Sequence, residues 1–156
     1  MAIAVNTSRT VKPGMSEEDR ANYTLGIWPY QRSQTISDIE EYADVIFGVT
    51  SGTITFGAEV DRVVVASADP NRWEVIAKAN PAPWVTAMIG RKITPEFAWK
   101  PGQGWPVKLI DTATFRGAHE QGDPEVSLGA YRLVLGDGGA HLYVPRGGDV
   151  HIHVAG

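Results

Sequence analysis

The chain has 156 residues, of which 43% are hydrophobic and 21% charged, with no cysteine and a formal net charge of −4. This length and composition predict a protein with a globular core and argue against global disorder. The absence of cysteine excludes disulfides, thiolate metal sites and cysteine nucleophiles. Because lysine and arginine occur singly, no basic stripe suits a phosphate backbone, and we expect no nucleic-acid partner.

The first residues lack the basic and then apolar pattern of a signal peptide, and no apolar run approaches the roughly 18 residues of a membrane span. We therefore expect a protein that is made in a cytoplasm, is not exported by a signal peptide and has no membrane partner.

Residues 1–15 alternate small and β-branched side chains, including Ile3 and Val5, before Lys12-Pro13-Gly14. This pattern predicts an edge strand or an extended arm. Ordering such a segment costs about 1–2 kcal/mol per residue, so it needs a partner surface, either the domain itself or a neighbouring subunit. We assign residues 1–15 to an extended N-terminal arm and residues 16–156 to a single β-rich domain.

Two short helices are predicted next, over residues 16–25 and 37–46. Ser16 can cap the first, three acidic residues follow it at the positive end of the helix dipole, and Gly26 ends it. The second begins with Ser37 and Glu40 in the spacing of a capping box. Trp28, Pro29 and Tyr30 are predicted to form a loop or a short extended piece between them.

From about residue 45 the hydrophobic period changes to two, which predicts strands. A hairpin is expected around Thr50-Ser51-Gly52, and Asp137-Gly138 predicts a second hairpin between residues 131–135 and 141–144. The remaining predicted strands are Asp61–Ser67, which we expect to be buried on both faces, Trp73–Lys78, Trp84–Ile89, Val107–Ile110 and Val150–Val154. Residues 94–106 and 117–125 are predicted loops.

No helical segment is predicted to alternate with these strands. The sequence therefore predicts a mainly β fold, a β-sandwich or small β-barrel of roughly eight to ten short strands with one or two short N-terminal helices.

The C-terminal histidines are the first candidate for chemistry. His151 and His153 share one face of the predicted last strand, and His141 could lie on a neighbouring strand. Three imidazoles with a water form a catalytic zinc arrangement. The stretch YVPRGGDVHIHV resembles the barrel strands of cupins, in which an H-x-H pair binds metal together with a downstream Glu and His. Here Pro145 replaces the glycine of the family pattern, and no residues remain for the two downstream ligands.

The alternative is that these histidines form the outer face of a terminal strand, and we adopt it, predicting no metal and no cofactor. The sequence also lacks the G-x-S-x-G and H-E-x-x-H motifs of hydrolases and metalloproteases. We predict no catalytic residues.

The tryptophans are more suggestive of binding. Trp28, Trp84 and Trp105 each adjoin a proline, and Trp99 lies two residues before Pro101. Proline beside tryptophan gives a stiff segment carrying a large amphipathic ring, which suits a protein interface or a sugar platform. Alternatively, the rings cover the ends of the β core and their indole N–H groups bind loop carbonyls.

Three functions fit this sequence. The preferred one is a non-enzymatic structural subunit of a larger assembly, in particular a phage-type decoration or auxiliary capsid protein found in the virion. Its partners would be copies of itself or other subunits, contacted through the predicted arm and the Trp/Pro loops. The candidate interface residues are Ile3, Val5, Trp28, Tyr30, Trp84, Trp99 and Trp105. The alternatives are a carbohydrate-binding module that uses Trp84, Trp99 or Trp105, and a cupin-like metalloenzyme that uses His141, His151 and His153.

Overall fold

A computed structural model describes residues 1–31, 35–120, 125–136 and 139–151, and it is mainly β, as predicted. The chain divides into two compact units, Met1–His119 and Glu120–Gly156. The strands of the first unit are β1 (Ala2–Asn6), β2 (Trp28–Pro29), β3 (Val45–Thr50), β4 (Thr53–Val65), β5 (Arg72–Ala77) and β6 (Val107–Ile110). Its helices are α1 (Glu17–Leu25), α2 (Ile36–Glu40), α3 (Pro83–Ala87) and α4 (Thr112–Glu120), whose last residue enters the second unit.

The first unit is built on one curled six-stranded sheet, a half-barrel, with the strand order β2-β5-β4-β3-β1-β6. The 13-residue strand β4 serves two neighbours, because its first half pairs with β3 and its second half with β5. The register shifts between Val60 and Arg62, where the sequence predicted the start of a separate strand. That second half is not buried on both faces, since Val63 is buried whereas Arg62, on the opposite face of the strand, is exposed.

Residues 2–6 form an internal strand rather than the predicted edge strand or extended arm. Strand β1 pairs in parallel with β3 and antiparallel with β6. Its residues Ile3 and Val5 are fully buried. Parallel pairing joins segments that are distant in the sequence and leaves no local turn signal, which explains why the sequence alone did not reveal it.

The core lies on both faces of this sheet. Ile3, Ile46 and Trp73 belong to one hydrophobic cluster, to which α2 contributes Ile39. Phe47 and Ile54 belong to the other, with side chains from α3 and α4 such as Phe115. Helices thus cover both faces, which is the arrangement that buries a central strand such as β1 completely.

The predicted hairpins are present. Ser51 and Gly52 turn β3 into β4, and both have positive φ values, 49° and 79°, as a type I′ turn requires. In the second unit, β7 (Glu125–Leu128), β8 (Tyr131–Gly136) and β9 (Gly139–Tyr143) form a three-stranded antiparallel sheet. The predicted turn residues Asp137 and Gly138 lie outside the described residues, but the flanking Gly136 and Gly139 are paired.

The first helix is confirmed, and the second is shorter than predicted. Ser16 caps α1, because its hydroxyl accepts the backbone N–H of Asp19 at 3.1 Å. Helix α2 begins at Ile36 and ends at Glu40, before the predicted end at 46. Its capping residue is Thr35 rather than Ser37, since the Asp38 carboxylate accepts both the backbone N–H and the hydroxyl of Thr35 at 2.7 Å.

The absence of helices after residue 46 is the main error in the predicted fold. The predicted strand Trp84–Ile89 is instead α3, which begins with Pro83 and places Val85 and Met88, one helical turn apart, in the core. Helix α4 occupies part of a predicted loop and is capped by Asp111, whose carboxylate accepts the N–H and the hydroxyl of Thr114. Two described residues of the predicted last strand, Val150 and His151, are not in a strand, and residues 152–154 lie outside the described residues.

Candidate ligand-binding groove

Several strand ends meet at one end of the first sheet. Strands β1 and β3 are parallel, so both end there, and their antiparallel neighbours β6 and β4 begin there. Backbone hydrogen bonds hold the residues beside these strand ends together. Asn6 N–H donates to Pro106 O at 2.7 Å, and Thr7 N–H donates to Val49 O at 2.9 Å. Three cavities open at this end.

The first cavity, of about 520 Å³, carries two cations, Lys12 and Arg20. Lys12 is exposed on the loop that follows β1. Arg20 lies on α1 and donates from Nε and Nη2 to the carbonyl oxygen of Met15, at 3.1 and 2.7 Å. That pair of bonds holds the guanidinium against the loop and fixes its position at the cavity wall.

The lining of this cavity includes Thr50 and Thr55, whose hydroxyls continue a series that begins at the buried Thr7. Thr7 and Thr50 lie 2.9 Å apart at their hydroxyl oxygens, as do Thr50 and Thr55, and Thr55 donates to Gly48 O at 3.3 Å. Because these hydroxyls satisfy one another, they make a rigid polar wall.

The second cavity, of about 240 Å³, lies between Asn6, Ser8, Ser51 and Trp99, with other residues of the same strand ends. Ser8 Oγ accepts the backbone N–H of Ser51 at 2.9 Å, and Asn6 Oδ1 accepts the backbone N–H of Ser8 at 3.1 Å. These contacts orient the Ser8 hydroxyl and the Asn6 amide while leaving both groups a proton to donate.

The third cavity, of about 260 Å³, is framed by Trp99, Gln103, Trp105 and Lys108. Trp99 Nε1 donates to Trp105 O at 2.8 Å, and the Lys108 ammonium lies 5.0 Å from the centre of the Trp99 ring. The same ammonium donates to Phe97 O and Ala98 O at 3.0 and 2.8 Å. Burial, and to a smaller extent the charge of Lys100, lowers the pKa of Lys108.

We call these three cavities together the groove. The first two share Ser8 and Ser51, and the last two share Trp99, so they adjoin one another. The cations of the groove are Lys12, Arg20 and Lys108. Its described lining contains no aspartate, glutamate or histidine, although the chain has 18 acidic residues. The described lining of the groove is therefore cationic in a protein that is acidic overall.

The chain matches no protein-family model, no curated protein sequence and no solved structure. The groove and the exposed side chains are therefore the guides to its function. Among the described residues, no helix is long and apolar enough to cross a membrane.

The predicted interface residues differ in how deeply they are buried. Ile3 and Val5 are fully buried in strand β1 and are not part of an extended arm. Trp28 and Tyr30 are partly buried against the first core cluster, and Trp28 Nε1 donates to Thr24 O at 2.8 Å.

Trp84 is also partly buried, with its ring edge-on to Phe47 and the Arg116 guanidinium 4.9 Å from its centre. Trp99 and Trp105 are the two predicted residues that line the groove. Three indole groups, those of Trp28, Trp73 and Trp99, donate to backbone carbonyls, as the core-covering alternative expects.

The histidines that the sequence proposed as metal ligands are not residues of the first unit. His141 and His151 are exposed residues of the second unit, and His153 lies outside the described residues. The described part of the chain contains no group of three or more side chains able to hold a metal ion. His119, in contrast, is buried: its Nδ1 donates to Phe115 O at 2.8 Å and its Nε2 accepts the backbone N–H of Thr94 at 3.2 Å.

Sequence reasoning missed the cationic end of the groove. Lys12 lies in a loop and Arg20 in a helix, and no sequence pattern links either residue to the rest of the groove. Ser8 and Thr55 are ordinary polar residues. The available signal was the turn Ser51-Gly52, which marks the strand ends around which the cavities open.

Proposed function

We propose that this protein is a non-catalytic carbohydrate-binding protein and that the groove of its first unit holds an oligosaccharide. The observation that carries the proposal is the pair Trp99 and Trp105 beside cavities lined with hydroxyl and amide donors. A sugar ring has an apolar face of C–H groups and a rim of hydroxyls, so it needs a flat apolar surface next to several hydrogen-bonding groups.

Trp105 is the ring available for stacking. Its side chain is 38% exposed, and the contact that holds its segment uses its backbone oxygen rather than its indole. Trp99 is partly buried and has the Lys108 ammonium over its ring. We infer that Trp105 stacks on the sugar while Trp99 supports it.

Binding without hydrolysis is favoured by the composition of the groove. Glycoside hydrolysis ordinarily requires two carboxyl groups that flank the scissile bond. The described lining residues supply hydroxyls, amides and cations but no carboxyl group. The groove is thus equipped to hold a sugar and lacks the acid–base pair that would cleave it.

Isothermal titration calorimetry with hexasaccharides of glucose, N-acetylglucosamine and galacturonic acid tests this proposal. Trp105→Ala should weaken the binding of every sugar that binds by about tenfold or more, since an aromatic anchor of this kind contributes at least about 1–2 kcal/mol. Tyr42→Ala is the matched control, because Tyr42 is 56% exposed and lies outside the groove. Binding that Trp105→Ala leaves unchanged would contradict the proposal.

A second candidate function, the assembly subunit of a virion, is favoured by the surface of the second unit. Four large apolar side chains there are between 40% and 52% exposed: Leu142, Tyr143, Val144 and Val150. A cavity of about 370 Å³ opens beside Leu142 and Val150. Such a concentration of exposed apolar groups is typical of a surface that contacts another subunit.

Native mass spectrometry tests the assembly proposal. The wild-type chain should form an oligomer, and Leu142→Asp should dissociate it because a carboxylate would be buried in the interface. Ile76→Asp is the matched control, since Ile76 is 37% exposed in the first unit. A wild-type chain that stays monomeric, or a Leu142→Asp variant that still assembles, would count against this role for the second unit.

A further inference from the structure

We infer that the sugar held in the groove is acidic, an oligosaccharide whose carboxylate or sulfate ester lies at the Lys12–Arg20 end while another ring stacks on Trp105. This inference rests on the proposed function and adds the charge and the orientation of the ligand. The shared chemistry is an anionic group on a sugar ring.

The cations at this end of the groove are placed to receive an anion. The two bonds from Arg20 to Met15 O use Nε and Nη2, so Nη1 is the part of the guanidinium that remains to meet a ligand. Lys12 lies on the same cavity wall with an exposed side chain. A fixed guanidinium beside a mobile ammonium suits a single carboxylate or sulfate.

The described lining of the groove contains no acidic side chain that would neutralise these cations. Two ion pairs between side chains, Arg72 with Asp69 and Lys78 with Glu59, both lie outside the groove. Three like charges gathered in one groove of a protein with a net charge of −4 raise the local potential, and an anionic ligand would lower it.

The surroundings favour an acidic sugar over a nucleic acid. Glu17, Glu18 and Asp19 form the exposed first turn of α1, immediately before Arg20. A polyanionic backbone that continues past the Lys12–Arg20 end would meet these carboxylates, whereas an isolated acid group would not. A nucleic acid also needs cations along its path, and the described lining offers cations only near its two ends.

The experiment compares a glucose hexasaccharide that ends in one glucuronate ring with its methyl ester, which keeps the sugar backbone and removes the charge. Calorimetry at low ionic strength should show binding of the acid about threefold to tenfold tighter than that of the ester, a difference that added salt reduces. A glucose hexasaccharide that carries one 6-O-sulfate on its terminal ring, measured in parallel, distinguishes a sulfate ester from a carboxylate. An oligothymidylate serves as the nucleic-acid probe.

Lys12→Gln should remove most of the preference for the acid over the ester. Arg62→Gln is the matched control, because it removes one exposed positive charge outside the groove. Trp105→Ala should weaken acid and ester alike.

The outcomes distinguish a failure of the inference about charge from a failure of the carbohydrate proposal. Equal binding of acid and ester overturns the inference about charge and leaves the carbohydrate proposal standing. Tighter binding of oligothymidylate than of any sugar overturns the inference and the carbohydrate proposal together, as does the absence of binding to every sugar. A preference for the acid that Lys12→Gln leaves intact overturns the assignment of the acidic end.

Discussion

Gly48, in the middle of β3, lies against Thr24 of α1, and the contact is close enough to make a strong prediction. A Cβ atom at position 48 would lie 2.2 Å from Thr24 Oγ1 and 3.2 Å from both Thr24 Cβ and Cγ2. Thr24 is fully buried, and its hydroxyl has no hydrogen-bond partner among the described residues. Gly48→Ala must therefore push α1 away from the sheet.

We expect Gly48→Ala to lower the free energy of unfolding by about 1–3 kcal/mol, the usual cost of overpacking a well-packed core. With a urea dependence of about 2 kcal/mol per molar, the unfolding midpoint should fall by about 0.5–1.5 M. Thr24→Ala removes the two atoms Oγ1 and Cγ2, so the double variant should recover a large part of that loss. The coupling between the two sites should be about 1–2 kcal/mol.

Urea unfolding, monitored by circular dichroism, measures the stability of the wild type, of Gly48→Ala, of Thr24→Ala and of the double variant. Gly104→Ala is the control, because a Cβ atom there would meet nothing within 4 Å and the residue has no positive φ. The proposed contact is refuted if Gly48→Ala unfolds at the same urea concentration as Gly104→Ala. Strictly additive effects of Gly48→Ala and Thr24→Ala would refute it as well.

Three further predictions concern helix α4 and the Asp111 carboxylate that caps it. Gly117→Ala should stabilise the protein by about 0.5–1 kcal/mol, because Gly117 lies inside α4 with open space around it. The hydrogen bonds from Thr114 lower the pKa of Asp111, so its stabilising effect is present above its unfolded pKa and is lost as the pH falls through the folded value. Wild type should therefore exceed Asp111→Ala in stability at about pH 7 and approach it at about pH 2. His119→Phe should cost about 1–3 kcal/mol, because the backbone N–H of Thr94 loses its acceptor.

Urea midpoints test all three predictions. A destabilising Gly117→Ala would mean that the helix is not formed at that position. A stability difference between wild type and Asp111→Ala that stays constant with pH would exclude the capping carboxylate as its source. An unchanged midpoint for His119→Phe would show that the ring contributes by packing against Phe115 rather than by its hydrogen bonds.

The sequence-based predictions were accurate where neighbouring residues decide the structure and less accurate where packing in the core decides it. The Ser51-Gly52 hairpin, the Ser16 cap of α1 and strand β6 were predicted from neighbouring residues, and all three are present. Helix α3 was mistaken for a strand because a short apolar run fits either structure, and the packing of Val85 and Met88 in the core favours the helix.

The groove residues also differ in whether the sequence pointed to them. Trp99 and Trp105 stood out in the sequence as large rings beside prolines, and both line the groove. Lys12 and Arg20 gave no signal, since single basic residues are ordinary surface groups. Their importance arises from the cavity that they share with the ends of β3 and β4.

By itself, the sequence determined the β character of the chain, the position of its sharp turns and the start of its first helix, because turn conformations and capping hydrogen bonds act within a few residues. The tertiary structure alone decided that residues 2–6 form an internal strand between β3 and β6. That pairing brings Asn6 and Ser8 beside Ser51 and Trp99. The groove depends on contacts between segments more than 40 residues apart, such as the hydrogen bond from Ser51 to Ser8, and such contacts form only when the sheet assembles.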